Sequence, residues 1–196
     1  VTQFNVRKNK IIELLILLNL KGEVMKKRAV KILLVITVSL LATPELWAAG
    51  TYGGGDGSEG NPFKISHPSH LDEMHYHNED WGKHFELVND IDMADYAYNT
   101  AVVAWDTDNT DYSFQGSVFT GVFDGKDFKI KNLKIDTLGV GNDYLGLFGQ
   151  IKNNTYAEVK NLGIVNCNIM GADDSHYLGA ICGNNRGTGG ILNNCY

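Results

Sequence analysis

The sequence lacks the common short motifs of catalysis. The glycine-rich stretch at residues 50–60 is not followed by the Gly-Lys-Ser/Thr of a phosphate-binding loop, and neither Gly-x-Ser-x-Gly nor His-Glu-x-x-His occurs. These absences argue against a P-loop nucleotide hydrolase, an α/β-hydrolase and a zinc protease of that type. The glycines instead predict a loop with several positive φ angles. We therefore expect a protein that is not an enzyme.

Basic residues are scarce beyond the first 49 positions. The whole chain has 17 Lys and Arg and 23 Asp and Glu, of which the part after residue 49 keeps 9 and 20, a net charge of −11. Such a surface repels the phosphate backbone of nucleic acids, so nucleic-acid binding is not expected. The acidic balance suits a soluble exported protein.

Cysteine is also scarce, and the three residues present are Cys167, Cys182 and Cys195. An odd number does not make a complete disulfide framework, although a bridge between two of the three stays open. Cys195 occupies a repeat position held elsewhere by Leu133 and Leu162, which predicts a small buried hydrophobic residue there.

Residues 25–49 have the order of a secretory signal peptide. A basic start at residues 25–28 precedes an apolar run at residues 29–42, and small residues surround positions 48–50. The run is shorter than the roughly 20 apolar residues that a membrane span needs. We predict cleavage near residues 48–50 and no membrane contact afterwards; an uncleaved N-terminal anchor is the alternative.

Residues 1–24 precede this signal, whereas a secretory signal normally opens a protein. We interpret them as an upstream extension from a misassigned start, with Met25 as the true first residue. The codons of residues 21–23 can form a purine-rich ribosome-binding site just before it. The alternative is a translated segment whose apolar part, residues 11–20, is too short to span a bilayer.

A short phrase recurs in the C-terminal third of the chain. It occurs at residues 130–133 (IKNL), 159–162 (VKNL) and 192–195 (LNNC), with residues 144–149 (YLGLFG) and 177–183 (YLGAICG) between the copies. The shared polar and glycine positions are Asn132, Asn161, Asn194, Gly146, Gly149, Gly179 and Gly183. Repeats at such a period predict stacked units that share one continuous core.

The apolar residues of each repeat alternate, which predicts short strands that bury one face only when they stack. We expect an all-β chain that forms a right-handed parallel β-helix, a solenoid, with a short N-terminal helix and a Gly-rich leader. Residues 119–196 would form the repeats, truncated at the C-terminus, and residues 50–118 the N-terminal capping region. The three repeat asparagines are expected to lie above one another and to hydrogen-bond along the stack.

The capping region contains two further patterns. Alternation from Phe85 to Met93 predicts one half-buried strand, followed by an irregular polar insertion at residues 94–115. Leu71 and Met74 form the apolar side of a predicted short helix, for which Ser69 is the expected N-cap residue.

These motifs together resemble the GLUG-motif repeat proteins of bacteria. The resemblance is carried by residues 119–125 (FTGVFDG), the phrase at 130–133 and the tetrad Gly146–Gly149 (GLFG). The second copy at 179–183 departs from the tetrad by an Ala and one extra residue. Residues 52–55 (YGGG), 61–63 (NPF) and 90–92 (DID) match the family's usual leader. The resemblance covers most of residues 50–196.

The resemblance implies a secreted or surface-exposed, adhesin-like protein with a right-handed parallel β-helix, and it supplies no catalytic residue. We therefore expect cell-surface adhesion or binding, with surface glycans or other extracellular proteins as partners. The sequence stops within a repeat phrase, so we expect the N-terminal part of a larger protein. The alternatives are a polysaccharide lyase or glycosidase on the same fold, or a fragment without function of its own.

Five of the six histidines fall between residues 67 and 84. Histidine with nearby carboxylates can bind zinc or another transition metal, and His75 and His77 are the candidate ligands. Solvated histidines of a helix and loop are the alternative, in which case no cofactor is needed.

Aspartates supply two further candidate sites. Asp106, Asp108 and Asp111 form an acidic run that fails the pattern of a calcium-binding EF-hand, so we interpret it as a solvated loop. A glycosidase would need two positioned carboxylates. The available side chains are Asp124, Asp127, Asp136, Asp173 and Asp174, and nothing in the sequence marks a pair among them. Asp124–Gly125 is predicted to be a turn.

Overall fold

The computed structural model describes residues 50–152, 157–185 and 190–196. The chain divides into two compact units, Val1–Trp47 and Ala48–Tyr196, and every described residue belongs to the second. The predicted extension at 1–24 and signal peptide at 25–49 therefore lie outside the described residues and stay predictions.

The described part is built from short strands and one short helix. The strands are β1 (Phe63–Ile65), β2 (His84–Leu87), β3 (Ile91–Asp92), β4 (Val122–Asp124), β5 (Lys129–Lys131), β6 (Lys134–Asp136), β7 (Phe148–Ile151), β8 (Glu158–Lys160), β9 (Gly163–Val165), β10 (Asn168–Met170), β11 (Cys182–Asn185) and β12 (Ile191–Asn193). Helix α1 spans Pro68–Tyr76, and a 3₁₀ turn follows at Asn78–Asp80.

The strands stack as a parallel β-solenoid of about three turns. A long sheet has the order β1-β2-β4-β8-β12, and the other faces are β3-β5-β9, β6-β10 and β7-β11. Each pairing between these strands is parallel. A complete coil, such as β4 to β7, therefore visits each face once before the next coil stacks on it. The all-β parallel solenoid predicted from the repeat is confirmed.

Residues 84–118, which we assigned to the capping region, already form a coil. β2 pairs with β4 and β3 with β5, while single bridges join Tyr98 to Ile135 and Val103 to Phe148. The predicted single strand from Phe85 to Met93 is wrong, because the chain turns a corner at Val88–Asp90 and divides it into β2 and β3. The predicted insertion at 94–115 in fact contributes Ala101–Ala104 to the core, all fully buried.

Inward-facing side chains of successive coils stack on one another. On the long sheet the paired inward positions are Phe63, Phe85, Phe123, Val159 and Leu192. The Phe85 and Phe123 rings stack 6.4 Å apart, and Phe148 packs against Phe123 at 5.6 Å. Burial of each such ring contributes about 1.5–3 kcal/mol relative to an exposed one. This shared core holds the strands, which are only two to four residues long, in place.

Helix α1 covers the N-terminal end of the stack. Leu71 and Met74 are fully buried, as predicted. The Tyr98 hydroxyl donates to Asp72 Oδ1 (3.1 Å), and Trp105 Nε1 donates to the His75 carbonyl (3.3 Å). These contacts reach the coil of β2 and β3 on the side away from β5, which makes α1 a terminal cap.

The predicted N-cap of α1 is wrong. The helix begins at Pro68, whose missing N–H is no loss in the first turn. The N-cap residue is His67, whose Nδ1 accepts a hydrogen bond from the Ser69 amide at 3.2 Å. Ser69 thus lies inside the helix, and its amide is the donor that the cap satisfies.

Candidate functional site

Polar side chains form two ladders at neighbouring corners of the solenoid. In one, Asn194 Nδ2 donates to Asn161 Oδ1 (3.0 Å), and Asn161 Nδ2 donates to Asp124 Oδ1 (3.0 Å). In the other, Asn166 Nδ2 donates to Asn132 Oδ1 (2.5 Å), and Asn132 Nδ2 donates to Asp92 Oδ1 (2.8 Å).

The predicted stack of three repeat asparagines is therefore only partly right. Asn161 and Asn194 lie in one ladder, but Asn132 lies in the other, because its phrase falls on β5 whereas the later phrases fall on β8 and β12. The counterpart of Asn132 is Asn166, which the repeat pattern in the sequence did not indicate. All four asparagines have φ between 50° and 58°, so each also turns a corner of the chain.

The repeat glycines lie in close contact with backbone atoms of their own coil or of a neighbouring one. A Cβ on Gly146 would lie 2.4 Å from the Gly179 carbonyl oxygen, and one on Gly149 would lie 2.2 Å from the Ala104 carbonyl oxygen. Gly179 and Gly183 are equally confined, at 2.3 Å and 2.6 Å from backbone oxygens. No side chain fits these positions without backbone movement.

The extra residue of the second glycine motif is absorbed between Gly179 and Cys182. Leu145 pairs with Leu178, a step of 33 residues, whereas Phe148 pairs with Cys182, a step of 34. The Leu147 and Phe148 amides donate to the carbonyls of Ala180 and Ile181, at 3.1 and 2.9 Å. The Tyr144 and Tyr177 rings still stack, at 4.6 Å and 16°.

The candidate metal ligands His75 and His77 are held in separate contacts. His75 Nδ1 faces the Val102 carbonyl at 2.9 Å, and its ring stacks on Trp105. His77 has Glu73 on Nε2 (3.1 Å) and Glu79 on Nδ1 (2.8 Å), so these carboxylates lie on opposite ring nitrogens and do not converge on one point. Among the described residues, no group of three or more His, Cys, Asp or Glu is arranged to hold a metal ion.

The acidic run uses its carboxylates to fold its own loop. Asp106 Oδ1 accepts from the amides of Thr107 (2.9 Å) and Gln115 (2.8 Å), and Asp108 Oδ1 accepts from the Thr110 amide (2.9 Å). Burial raises the pKa of Asp106, whose Oδ2 has no hydrogen-bond partner. Asp108 and Asp111 are exposed, as expected of a solvated loop.

This loop borders a small polar pocket of about 330 Å³. Its walls are Asn109, Thr110, Asp111, Tyr112, Gly141, Asp143 and Asp174. The Tyr112 ring makes an edge contact with His176 at 4.5 Å, and Asp143 Oδ1 accepts from the His176 amide at 2.5 Å. The pocket is acidic and carries a single aromatic wall.

The aspartates considered for catalysis occupy turns. Asp124 Oδ1 accepts from the Lys126 amide (2.9 Å) as well as from Asn161, which confirms the predicted turn at Asp124–Gly125. Asp136 Oδ1 accepts from the Leu138 amide at 3.0 Å, and Asp127 has a φ of 64°. Asp173 and Asp174 lie exposed in a turn after β10.

The three cysteines are free thiols. Cys167 is exposed, whereas Cys182 and Cys195 are partly buried and pack against the core. Cys195, predicted to be buried, is therefore only partly so. Burial raises the pKa of the Cys182 thiol to about 11. Within the described residues the disulfide that the sequence left open is not formed.

The outward face of the long sheet forms a groove of about 690 Å³, which is larger than the pocket beside the acidic run. Its floor is a row of charged side chains at paired positions, Lys64, Glu86, Asp124 and Lys160, one from each successive strand. The other lining residues are Glu59, Gly60, Pro62, His84, Phe85, Val122, Lys126, Glu158 and Ile191. The groove therefore follows the stacking direction of the coils.

The charges of the groove are paired along its length. Lys64 Nζ donates to Glu86 Oε1, and Lys160 Nζ donates to Glu158 Oε2 at 2.7 Å. Lys126 Nζ lies 3.7 Å from both Glu86 and Asp124. The hydrogen bond that Lys160 donates to Glu158 raises the pKa of Lys160. Three ammonium groups and four carboxylates thus alternate on a nearly neutral strip of an otherwise acidic surface.

Sequence analysis missed this groove because its members lie about 20 to 40 residues apart. The signal was present in each strand, where a charged residue adjoins an inward-facing one: Lys64 beside Phe63, Glu86 beside Phe85 and Lys160 beside Val159. Only the register of the stack shows that these charges form one row.

Comparison with known proteins finds no matching family model and no matching solved structure. The chain is 32% identical over 142 residues to a "Putative Gly-rich membrane protein" of Evansella cellulosilytica, and 31% identical over 132 residues to Halomucin of Haloquadratum walsbyi. The matches cover 71% and 67% of this chain but only 15% and 1% of those proteins. In the described part of this chain, no helix has the length and hydropathy needed to cross a membrane.

Proposed function

We propose that this is an exported, surface-exposed β-solenoid that acts in binding rather than catalysis. The names of the two similar proteins, a putative membrane protein and a halomucin, agree with a surface location. The signal-peptide pattern at residues 25–49 supports export. A stack of coils offers the long, regular surface that a binding protein of this kind uses.

The groove on the long sheet is the proposed binding site, and its charge pattern is the observation that carries the proposal. Alternating ammonium and carboxylate groups offer hydrogen-bond donors and acceptors in turn, without a strong net charge. An uncharged chain of sugars presents hydroxyl groups that both donate and accept, so it matches such a strip. The ligand class we propose is therefore a neutral surface glycan that lies along the stacking direction.

The same contacts favour binding over hydrolysis. A glycosidase needs one carboxyl group that carries a proton and a second that is free to act as base or nucleophile. Here Glu86 and Glu158 are each held by a lysine, and Asp124 accepts from the Asn161 amide group while it closes a turn. These carboxylates are engaged as hydrogen-bond acceptors.

The test is binding of the full chain to a panel of neutral and acidic polysaccharides, measured by glycan array and calorimetry. We expect neutral chains to bind, and Lys160→Gln with Glu158→Gln to weaken that binding at least tenfold. The matched control is Lys134→Gln, an exposed lysine of β6 on another face, which should leave binding unchanged. Equal loss in the control, binding of acidic chains only, or release of reducing sugars would contradict the proposal.

A further inference from the structure

The backbone nitrogen of Gly50 lies against a buried carboxylate. Gly50 is itself buried, and its N–H donates to Asp80 Oδ2 at 2.9 Å. The Tyr52 hydroxyl donates to the same oxygen at 3.1 Å. Asp80 is only 3% exposed and belongs to the 3₁₀ turn that follows helix α1. These two hydrogen bonds fasten residues 50–52 to the cap of the solenoid.

The Asp80 carboxylate has neutral donors but no cation. Among the described residues, no ion pair includes Asp80. A buried carboxylate is costly unless a positive charge or further hydrogen bonds compensate it. A positive charge on the Gly50 nitrogen, at its present distance, would supply that compensation.

Neighbouring carboxylates make the surroundings of this nitrogen more negative. Burial, together with the charges of Asp80, Glu73 and Glu79, raises the pKa of the Tyr52 hydroxyl. Glu73 and Glu79 both contact His77, and neither contact includes Asp80. Such an environment favours the charged form of an ammonium group.

A chain cut directly before Gly50 would carry such an ammonium group. The bond between Ala49 and Gly50 lies at the end of the predicted signal peptide, after the two small residues Ala48 and Ala49. A free α-amino group has an ordinary pKa of about 7.7–8.0, so it is mostly charged at neutral pH. Glycine also fits the space, because a Cβ there would lie 2.6 Å from Cζ of the Tyr52 ring.

We propose that the bond between Ala49 and Gly50 is the maturation site, and that the new α-ammonium group of Gly50 forms an ion pair with Asp80 when the cap folds. An export peptidase adds water across the bond, which leaves a carboxylate on Ala49 and the ammonium group on Gly50. Because Gly50 is buried in the folded protein, cleavage precedes closure of the cap. The inference rests on the export proposed above and is independent of the groove and its ligand.

The first test is export of the full chain, followed by N-terminal sequencing of the exported product. We expect Gly50 as the first residue. An exported product that begins at Ala49 or at any other residue overturns the assignment of the bond and leaves export intact. A chain that stays uncleaved inside the cell overturns the inference and contradicts export as well, so the two failures are distinguishable.

The second test is an NMR titration of the Gly50 α-amino group in the exported product. The titratable groups around it are Asp80 and Tyr52, with Glu73 and Glu79 nearby. The negative charge of Asp80 stabilises the ammonium form, so we expect its pKa to lie above the ordinary range of about 7.7–8.0. A pKa within or below that range overturns the ion pair.

Two variants assign the raised pKa to its cause. Asp80→Asn should return the pKa of the α-amino group to about 7.7–8.0. The matched control is Asp143→Asn, at another buried aspartate that accepts from a backbone amide, and it should leave the pKa unchanged. An equal change in the control overturns the proposal. If Asp80→Asn fails to fold, as judged by circular dichroism, the titration of the parent still decides.

Discussion

The first two full coils and the last one place their strands on the same faces but differ in the size of their inward-facing side chains. Phe85, Phe119, Phe123 and Phe148 fill the interior of the earlier coils and are at most 1% exposed. The last coil has smaller residues at the paired positions: Val159 opposite Phe123, and Cys182 opposite Phe148. The largest buried side chains therefore lie in the coils nearer to helix α1, and the contribution of each coil to stability should fall toward the last coil.

The largest difference in the loss of stability is expected between substitutions at two residues of the same inward-facing row. Phe123→Ala removes a fully buried ring and should lower the free energy of unfolding by about 3–5 kcal/mol. Leu192→Ala, on the last strand of that row, should cost only about 1–2 kcal/mol because the side chain is already half exposed. Urea denaturation followed by circular dichroism measures both. Equal losses would show that Leu192 is packed as tightly as Phe123.

Replacing a glycine between two coils by alanine should lower stability more than the same replacement at the surface. Gly146→Ala places a Cβ against the Gly179 carbonyl and should cost about 1–3 kcal/mol. Gly60→Ala is the matched control, since its Cβ would have nothing within 4 Å and its φ is not positive. The same denaturation measurement should find the control within about 0.5 kcal/mol of the parent. A harmless Gly146→Ala would contradict the close approach.

An asparagine in the middle of the ladder should contribute more to stability than one at its end. Asn161→Gly keeps the left-handed corner conformation but removes two side-chain hydrogen bonds, which should cost about 1–2 kcal/mol. Asn194→Gly removes one strong rung, at 3.0 Å, and one weak contact at 3.5 Å, so the loss should be about half as large. Thermal unfolding of both variants checks the order. A reversed order would mean that the ladder does not support the corner.

The smallest expected effect is a change of stability with pH that originates in the loop at residues 106–115. Burial raises the pKa of Asp106 in this loop. A carboxyl group with a higher pKa in the folded state than in the unfolded state lowers stability as it ionises, from about pH 4 upward. Asp106→Asn removes this charge but keeps the oxygen that accepts from Thr107 and Gln115.

The variant should therefore gain stability relative to the parent as the pH rises from about 3 to 6. Urea midpoints measured across that range provide the test. The control is Asp108→Asn, an exposed residue of the same loop. A difference between variant and parent that is constant with pH would show that Asp106 does not titrate differently on folding.

The repeat in the sequence predicted the class of fold because one coil cannot bury its strands alone. It misplaced Asn132 because the 29-residue step from Asn132 to Asn161 is shorter than a coil, which spans 34 residues from Asn132 to Asn166 and 33 from Asn161 to Asn194. The helix was predicted from Leu71 and Met74, yet its cap was not, since a histidine before a proline is not a usual N-cap. The groove depends on register between distant strands, which no local pattern reports.

The position of helix α1 bears on the order in which the coils can fold during synthesis. Each strand of the long sheet after β1 pairs with one that the ribosome made earlier, and the cap is completed by residue 81, before any repeat. A chain that emerges N-terminus first therefore presents a finished template to every new coil. Synthesis at about 5–20 residues per second delivers a coil of about 35 residues every 2 to 7 seconds or so. Each coil can therefore fold onto the previous one as it is synthesised, before the rest of the chain is complete.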